Sequence, residues 1–387
     1  MNKDVINQYR QTYYDGLFND TLPFWLNHAV DSQFGGIMTC VDREGKVFDT
    51  DKGIWQQGRF AWILGYLYNN FQKNELWLDV CRRTLGFLEK YGFDSDGRMF
   101  FQTTRDGRPI RKRRYAFSES FGAISFAQLA RADQSSQAKE TALKCYEIYE
   151  SHTPYPPKFT DVRPMIGLGK YVIQIATAQQ LRESIAYESA DADIDACIAA
   201  IEKYFIKPDI CCVMESVAPD GAIVDSCDGR LLNPGHAIEG AWFIMYEGKI
   251  RNKPQYIQLG LKMLDWMFLR GWDSQYGGML YFRDVYDKPS VEYWQDMKFW
   301  WNHNETIIAS LLAYSLTKDE KYARMHEMAH NWAYRHFPDT QFGDWYGYLH
   351  RDGSVATTQK GNMYKGCFHL PRMQWECLRI CDELLGE

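Results

Sequence analysis

Four stretches of this 387-residue sequence gather side chains that can move a proton or hold a charge. Trp55-Gln-Gln-Gly-Arg59 sets an indole and a guanidinium four residues apart, on one face of a helix. Asn233-Pro-Gly-His236-Ala-Ile-Glu239 places an imidazole and a carboxylate three residues apart. Trp300-Trp301-Asn-His303-Asn-Glu305 puts Trp301 and Glu305 four apart, and Lys365-Gly-Cys-Phe-His369-Leu-Pro-Arg372 puts His369 and Arg372 three apart. Asn233 suits a helix N-cap and Pro234 the first helical position, so His236 falls in the first turn. From that register Glu239 is expected to hold one ring nitrogen of His236 and fix its tautomer. Imidazole titrates at about 6.5, close to neutrality, which suits a group that must both take and return a proton. Taken singly, each stretch has a plainer explanation: a histidine near a helix start is more often a cap or a core residue. Together they are hard to explain as packing.

The elements that must bring them together show in the turn signals. Asp31-Ser-Gln-Phe-Gly-Gly36 recurs as Asp273-Ser-Gln-Tyr-Gly-Gly278 and, more loosely, as Asp339-Thr-Gln-Phe-Gly343. Asp94-Ser-Asp-Gly97 and Asp220-Gly221 are shorter versions. Each is followed by alternating segments that read as β-hairpins, then by an aromatic-rich helix start. The leading aspartates are separated by 63, 126, 53 and 66 residues, so one hairpin is expected to be lost near residue 157. Six units of about 60 residues fill the chain. Helical spacing of apolar residues predicts two helices per unit, with an opening helix over 3–29. Twelve helices in six hairpin units close into an all-α (α/α)6 barrel, a single domain over 1–387. The turns all precede inner helices and cluster at one end, so the four stretches share one mouth.

Composition excludes several other classes. The chain is 45% hydrophobic and 24% charged, as folded globular proteins are. Its 44 basic and 50 acidic residues leave a net charge of −6, which does not suit a nucleic-acid or membrane-surface binder. The one basic run, Arg111 to Arg114, reads as a solvated loop. No stretch approaches the roughly 20 apolar residues of a membrane span, and the polar N-terminus does not read as a signal peptide. Ten scattered cysteines without a Cys-x-x-Cys pattern suggest a reduced, cytoplasmic protein. Aromatics make up 16% of residues; some fill the core, and some are expected to stack on the C–H faces of a sugar.

Trp-x-Gln-Gly-Arg, Ser118-Glu119-Ser-Phe, Asn-Pro-Gly-His-x-x-Glu, Trp-Trp-x-His-x-Glu and Lys-Gly-Cys-Phe-His-x-Pro-Arg, in this order, resemble the N-acylglucosamine 2-epimerase family. Its animal members are also called renin-binding protein. The likeness spans Phe24-Trp25 to Arg372 and implies the (α/α)6 fold, interconversion of N-acetylglucosamine with N-acetylmannosamine, and a homodimer. Epimerisation at C2 removes the proton α to the open-chain aldehyde and returns it to the opposite face. The resemblance assigns these steps to His236 and His369, and Arg59 is the candidate cation for the enediolate. Glu305 and Glu239 would orient hydroxyls or an imidazole, with Glu119, Glu215, Trp301, His303 and Arg372 as further pocket candidates. The chemistry needs no redox cofactor and no metal; ATP enters only by resemblance, as an allosteric activator, since no phosphate-binding loop is present. Related cellobiose 2-epimerases and aldose–ketose isomerases carry a histidine on the third inner helix, where this chain has Arg163-Pro-Met-Ile-Gly-Leu-Gly-Lys170. That departure favours the N-acyl branch.

Three rivals come from other classes. His326-Glu327-Met-Ala-His330 matches the zinc-peptidase pattern, yet falls on an outer helix with no evident third ligand. A glycoside hydrolase would draw two acids from Glu119, Glu215, Glu239 and Glu305, leaving the histidine pair superfluous. A binding protein gives no reason for imidazoles at the mouth.

Overall fold

A computed structural model describes residues 1–113, 115–152 and 162–386. The lost hairpin expected near residue 157 lies outside the described residues. Six helices form an inner ring: α3 (Ile54–Asn70), α5 (Phe117–Asp133), α7 (Leu168–Ile185), α9 (Pro234–Ile250), α11 (Trp300–Thr317) and α13 (His369–Leu385). The outer ring holds α4 (Glu75–Tyr91), α6 (Ser136–His152), α8 (Ala190–Ala200), α10 (Pro254–Gly271) and α12 (Glu320–His336). It is completed by an opening pair, α1 (Lys3–Asp15) and α2 (Leu22–His28). This is the (α/α)6 barrel. Most of α11 is buried, including its polar Asn302, His303, Asn304 and Glu305, whereas outer α12 buries one face. An inner helix has neighbours on every side; an outer one keeps a wet face. Tyr66 of α3 accepts a bond from Arg379 of α13 at 3.2 Å, and Trp62 meets Phe368 at 5.4 Å, so the last inner helix closes on the first.

The opening helix differs from the expected continuous span over 3–29. A π-turn at Gly16–Thr21 splits it. Pro23 has no N–H to continue an α-ladder and sits in the first turn of α2. Gly16 also lies against Gln374, whose side-chain nitrogen would be 2.6 Å from any added Cβ.

Each Asp-led turn is a staple. The Asp31 carboxylate accepts from Gln33 N–H at 3.0 Å, Asp273 from Gln275 N–H at 3.0 Å, and Asp339 from Gln341 N–H at 3.2 Å. The glycines that follow take positive φ (79° and 73° at Gly35 and Gly36), where a Cβ is disfavoured. A buried lysine then closes each of these three turns. Lys52 reaches Asp31 at 2.9 Å, Lys298 reaches Asp273 at 3.1 Å, and Lys360 reaches Asp339 at 3.3 Å.

The same three aspartates hold an arginine from a neighbouring unit. Arg105 bonds Asp31 at 2.9 Å, Arg351 bonds Asp273 at 2.8 Å, and Arg43 bonds Asp339 at 2.7 Å. The last pair links the sixth unit to the first, closing the turn end of the barrel. Strand pairs repeat the connection: Lys52–Gly53 with Gln102–Thr103, and Lys298–Phe299 with Tyr348–Leu349. The inner helices therefore all start at this end, held in fixed register.

Candidate active site

The inner-helix starts enclose a cavity of about 690 Å³ along the barrel axis. His236 is held by the cap expected from sequence: its backbone N–H donates to Asn233 Oδ1 at 3.2 Å, with Pro234 opening α9. His369 opens α13. Both imidazoles line the cavity with Trp301 beside them, ring centroids 5.0 Å from His236 and 5.7 Å from His369. The indole thus places two rings 133 positions apart in sequence at one site.

Each ring is backed by a carboxylate. His369 Nδ1 lies 2.8 Å from Glu305 Oε1, and His236 Nδ1 lies 3.0 Å from Glu215 Oε1. An ionised carboxylate only accepts, so Nδ1 carries the proton in both rings and Nε2 is the nitrogen left to work on a substrate. Glu239, expected beside His236, bonds Arg372 instead, at 2.5 Å. Glu239 and His236 both line the cavity from α9, but Glu215 precedes the Ser216–Val217 strand and approaches from outside the helix. Arg372 also donates to Glu305 at 2.7 Å. Trp242 donates to the other oxygen of Glu305 at 2.8 Å.

The His369 environment fixes its charge. Burial drives its pKa well below the ordinary 6.5, and the nearby Arg372 and Arg59 guanidinium groups push the same way. It is a neutral imidazole at physiological pH. Arg59 lines the same cavity, its guanidinium 4.2 Å from the Phe121 ring, 4.8 Å from Phe368 and 5.1 Å from Trp55. Its buried Nε has no hydrogen-bond partner, and burial disfavours its charge, with Glu239 working the other way. A cation so placed is stabilised when negative charge arrives beside it.

Glu239, Glu305 and His369 offer three donor atoms within 4.8 Å of one another. Arg372 donates to both carboxylates, so a fixed guanidinium already stands between them.

Two expected pocket residues lie elsewhere. Glu119 is fully buried and bonds Arg98 at 2.5 Å and Met99 N–H at 2.9 Å, pinning a turn to α5. His303 is also fully buried: its Nδ1–H donates to Phe299 O at 2.7 Å and Nε2 accepts from Met279 N–H at 2.9 Å. Both are structural because they point outward from the inner ring, between it and the outer layer. The zinc-peptidase pattern is likewise internal. His326 donates from Nδ1 to Ile307 O at 3.1 Å, so its Nε2 accepts from Tyr13 Oη at 3.0 Å. Tyr13 Oη in turn accepts from His330 Nδ1 at 2.8 Å. Both imidazoles are used in tying α1 to α12. The basic run is not simply solvated: Lys112 bonds Asp94 and Asp96, and Arg113 bonds Tyr364 at 3.0 Å.

Sequence reasoning missed the aromatic wall made by Phe121, Tyr281, Trp294, Tyr348, Tyr364 and Phe368. A signal existed on α3, where Trp55, Arg59, Trp62 and Tyr66 continue one face at helical spacing and all line the cavity. The third inner helix contributes Gly169 and Lys170 to the wall and no imidazole.

Fold and site together define an (α/α)6 barrel whose axial cavity carries a carboxylate-backed histidine pair. The structure of cellobiose 2-epimerase from Spirochaeta thermophila DSM 6192 shares that fold, with a TM-score of 0.85 at 18% identity, covering 99% of this chain and 98% of that one. The family model described as N-acylglucosamine 2-epimerase (GlcNAc 2-epimerase) matches residues 35–160 and 175–368. N-acylglucosamine 2-epimerase of Mus musculus is 32% identical over 387 residues, covering 94% of this chain and 89% of the mouse protein. That of Bos taurus is 33% identical over 384 residues, covering 94% and 88%. The chain belongs to the N-acylglucosamine 2-epimerase family, a family of sugar-epimerising isomerases.

Proposed function

We infer that the protein interconverts N-acetyl-D-glucosamine and N-acetyl-D-mannosamine by moving one proton at C2. The observation that carries this reading is the pair His236 and His369, each with Nδ1 on a carboxylate, flanking Trp301 in one cavity. In the open-chain sugar, Nε2 of one imidazole removes the C2 proton. The C–H electron pair forms the C1=C2 bond of an enolate, whose C2 keeps the acylamino nitrogen, and the former C1=O pair moves to O1 as negative charge. Arg59 stabilises that charge. The other imidazole, protonated at the start, delivers its proton to the opposite face of C2. The two rings end with exchanged protonation states, so the next turnover runs in reverse or follows proton exchange with water.

Glu305 and Glu215 act by orienting imidazoles, Arg372 by balancing Glu305 and Glu239, and Trp301 by stacking against the substrate. The reaction is complete without a metal or redox group. The same reading includes ATP as an allosteric activator, a homodimeric state and a cytoplasmic role in amino-sugar metabolism, on the relationship to the mammalian epimerases. An epimerase runs both ways, so breakdown of amino sugars and supply of sialic-acid precursors both fit. Among the described residues no helix is long and apolar enough to cross a membrane.

Incubation with N-acetylmannosamine in D2O, followed by NMR, tests the chemistry. N-acetylglucosamine is expected to appear with deuterium at C2, and His236→Ala and His369→Ala each to lose at least about 10³-fold in kcat. Conversion without solvent deuterium, or full activity in either variant, overturns the two-base scheme.

A further inference from the structure

The two working histidines are seated by different means. His236 sits behind the Asn233 cap of α9. Helix α13 starts at His369 itself, and among the described residues no side chain caps it. Its first residue therefore takes its position from the loop that leads in, Lys360 to Phe368. The buried anchor of that loop is Lys365. Its Nζ donates to Asp344 Oδ2 at 2.9 Å and to Lys360 O at 2.7 Å, and neither side chain of the ion pair is more than 2% exposed.

Lys365 is not one of the turn-closing lysines, because Lys360 already closes the Asp339 turn. Its partner is held in an unusual way. Asp344 has φ of 51° and its N–H donates to Asp20 Oδ1 at 3.0 Å. A left-handed backbone costs a non-glycine residue energy and persists only where the surroundings enforce it. The rest of the loop is tied to the cavity wall. Asn362 Oδ1 accepts from Lys365 N–H at 2.8 Å, and its side-chain nitrogen donates to Tyr348 Oη at 3.1 Å. The Lys365 ammonium lies 5.8 Å from the Trp300 ring, which stands edge-on to His369 with centroids 6.1 Å apart.

We propose that Lys365 and Asp344 are positioning residues for His369, acting on proton transfer at C2 rather than on sugar binding. This rests on the two-base epimerase reading above. Lys365 is four residues before His369, so a loop released at the ammonium moves the imidazole relative to Glu305 and to C2. A misplacement of about 1 Å can cost about 10²-fold in rate. Arg59 and Trp301, on other helices, continue to hold the sugar. The consequence is one-sided. When His236 takes the C2 proton, the C–H pair enters the C1=C2 bond and the enolate waits for His369. With His369 displaced, the proton on His236 Nε2 exchanges with water, which reaches this side chain because it is 36% exposed. A solvent hydron then returns to the same face, and the C1=C2 pair becomes the new C2–H bond. The sugar is labelled without being inverted. When His369 must start, no proton leaves and none is exchanged.

The test follows N-acetylmannosamine and N-acetylglucosamine separately in D2O by NMR, with the wild type, Lys365→Met, Asp344→Asn and Lys52→Met. Lys365→Met is expected to lose about 10²-fold in kcat with little change in KM. One of the two starting sugars, and not the other, is expected to gain deuterium at C2 faster than its epimer forms. Asparagine tolerates the positive φ at position 344 and still accepts from the ammonium, so Asp344→Asn should shift both readouts the same way by less. It also carries the test if Lys365→Met does not fold. Lys52→Met breaks a buried pair at another turn and should lower the midpoint of thermal unfolding without one-sided labelling. Undiminished kcat in folded Lys365→Met, or lost activity without one-sided labelling, overturns the positioning role. One-sided labelling in Lys52→Met overturns it as well. A wild type that epimerises neither sugar sinks the epimerase reading instead, and this role with it.

Discussion

Two imidazoles can trade a proton across C2 only if one of them meets the substrate neutral. Burial and two guanidinium groups hold His369 in that state, while Glu305 keeps the proton on Nδ1. A base of lowered pKa remains deprotonated as the solution is acidified, so activity that begins at His369 is lost only below that pKa. From about pH 7.5 down to about 6, the kcat/KM for the direction His369 initiates should therefore show no loss from this residue. Arg372→Met removes a cation 3.3 Å from Nδ1 and leaves Glu305 and Glu239 unbalanced, which raises the imidazole pKa. The acid limb of the profile should move up toward the ordinary value near 6.5, whereas Arg372→Lys, which keeps a charge, should move it less. Identical profiles in all three proteins would remove Arg372 from this role. The histidines, Arg372 and Arg59 were legible in sequence because each opens or continues an inner-helix face. The partner of His236 was not. Glu239 is a neighbour by helical spacing, but Glu215 comes from the turn before a short strand, 21 positions away, and no local rule couples them.

The same distinction between local and distant partners runs through the elements. Twelve helical stretches could be read because amphipathic spacing is local, and the Asp-led turns because Asp and Gly have fixed conformational preferences. The lysines that close those turns escaped notice, although Asp31 to Lys52 and Asp339 to Lys360 share a spacing of 21 residues. Charged residues ordinarily read as surface, and Lys52, Lys298 and Lys360 have fully buried side chains. Their cost of burial is offset by the aspartate and by turn carbonyls: Lys298 bonds Asp273, Gly277 O and Gly278 O, at 3.1, 2.7 and 3.2 Å. Breaking such a pair from one side leaves a buried charge exposed to no water. Lys298→Met is expected to cost about 3–5 kcal/mol in unfolding free energy. Arg351 bonds the same Asp273 but its side chain is 41% exposed, so Arg351→Ala should cost under about 1 kcal/mol. Urea unfolding of the two variants checks the order; equal losses would mean that the lysine is not the main closure of the turn.

Closure of the whole barrel depends on groups that must stay uncharged as well as on those that must stay charged. Burial lowers the imidazole pKa of His303 to about 3, of His326 to about 4 and of His330 to about 2. In the unfolded chain each returns to about 6.5. Between the folded and unfolded values the unfolded chain binds more protons, so stability rises with pH and falls on acidification. The loss begins as pH drops below about 6.5 and reaches about 1.4 kcal/mol per pH unit for each imidazole. The staple carboxylates of Asp31, Asp273 and Asp339 are held well below the usual range, with arginine and lysine bonds overcoming their burial. Their contribution is present above the unfolded value of about 3.9 and disappears only beneath it. Glu183, whose carboxyl is raised chiefly by burial, works in the opposite sense near the bottom of the window and offsets part of the loss. Between about pH 6.5 and 4.5 the imidazoles should therefore dominate, and the midpoint of thermal unfolding should fall steadily across that range. His326→Asn removes one of them together with its bonds to Tyr13 and Ile307. That variant should unfold at lower temperature at neutral pH but show a shallower slope against pH than the parent. An undiminished slope would show that His326 is not held neutral by the fold, and would leave the joint between α1 and α12 without the proton dependence that its buried Tyr13 bridge implies.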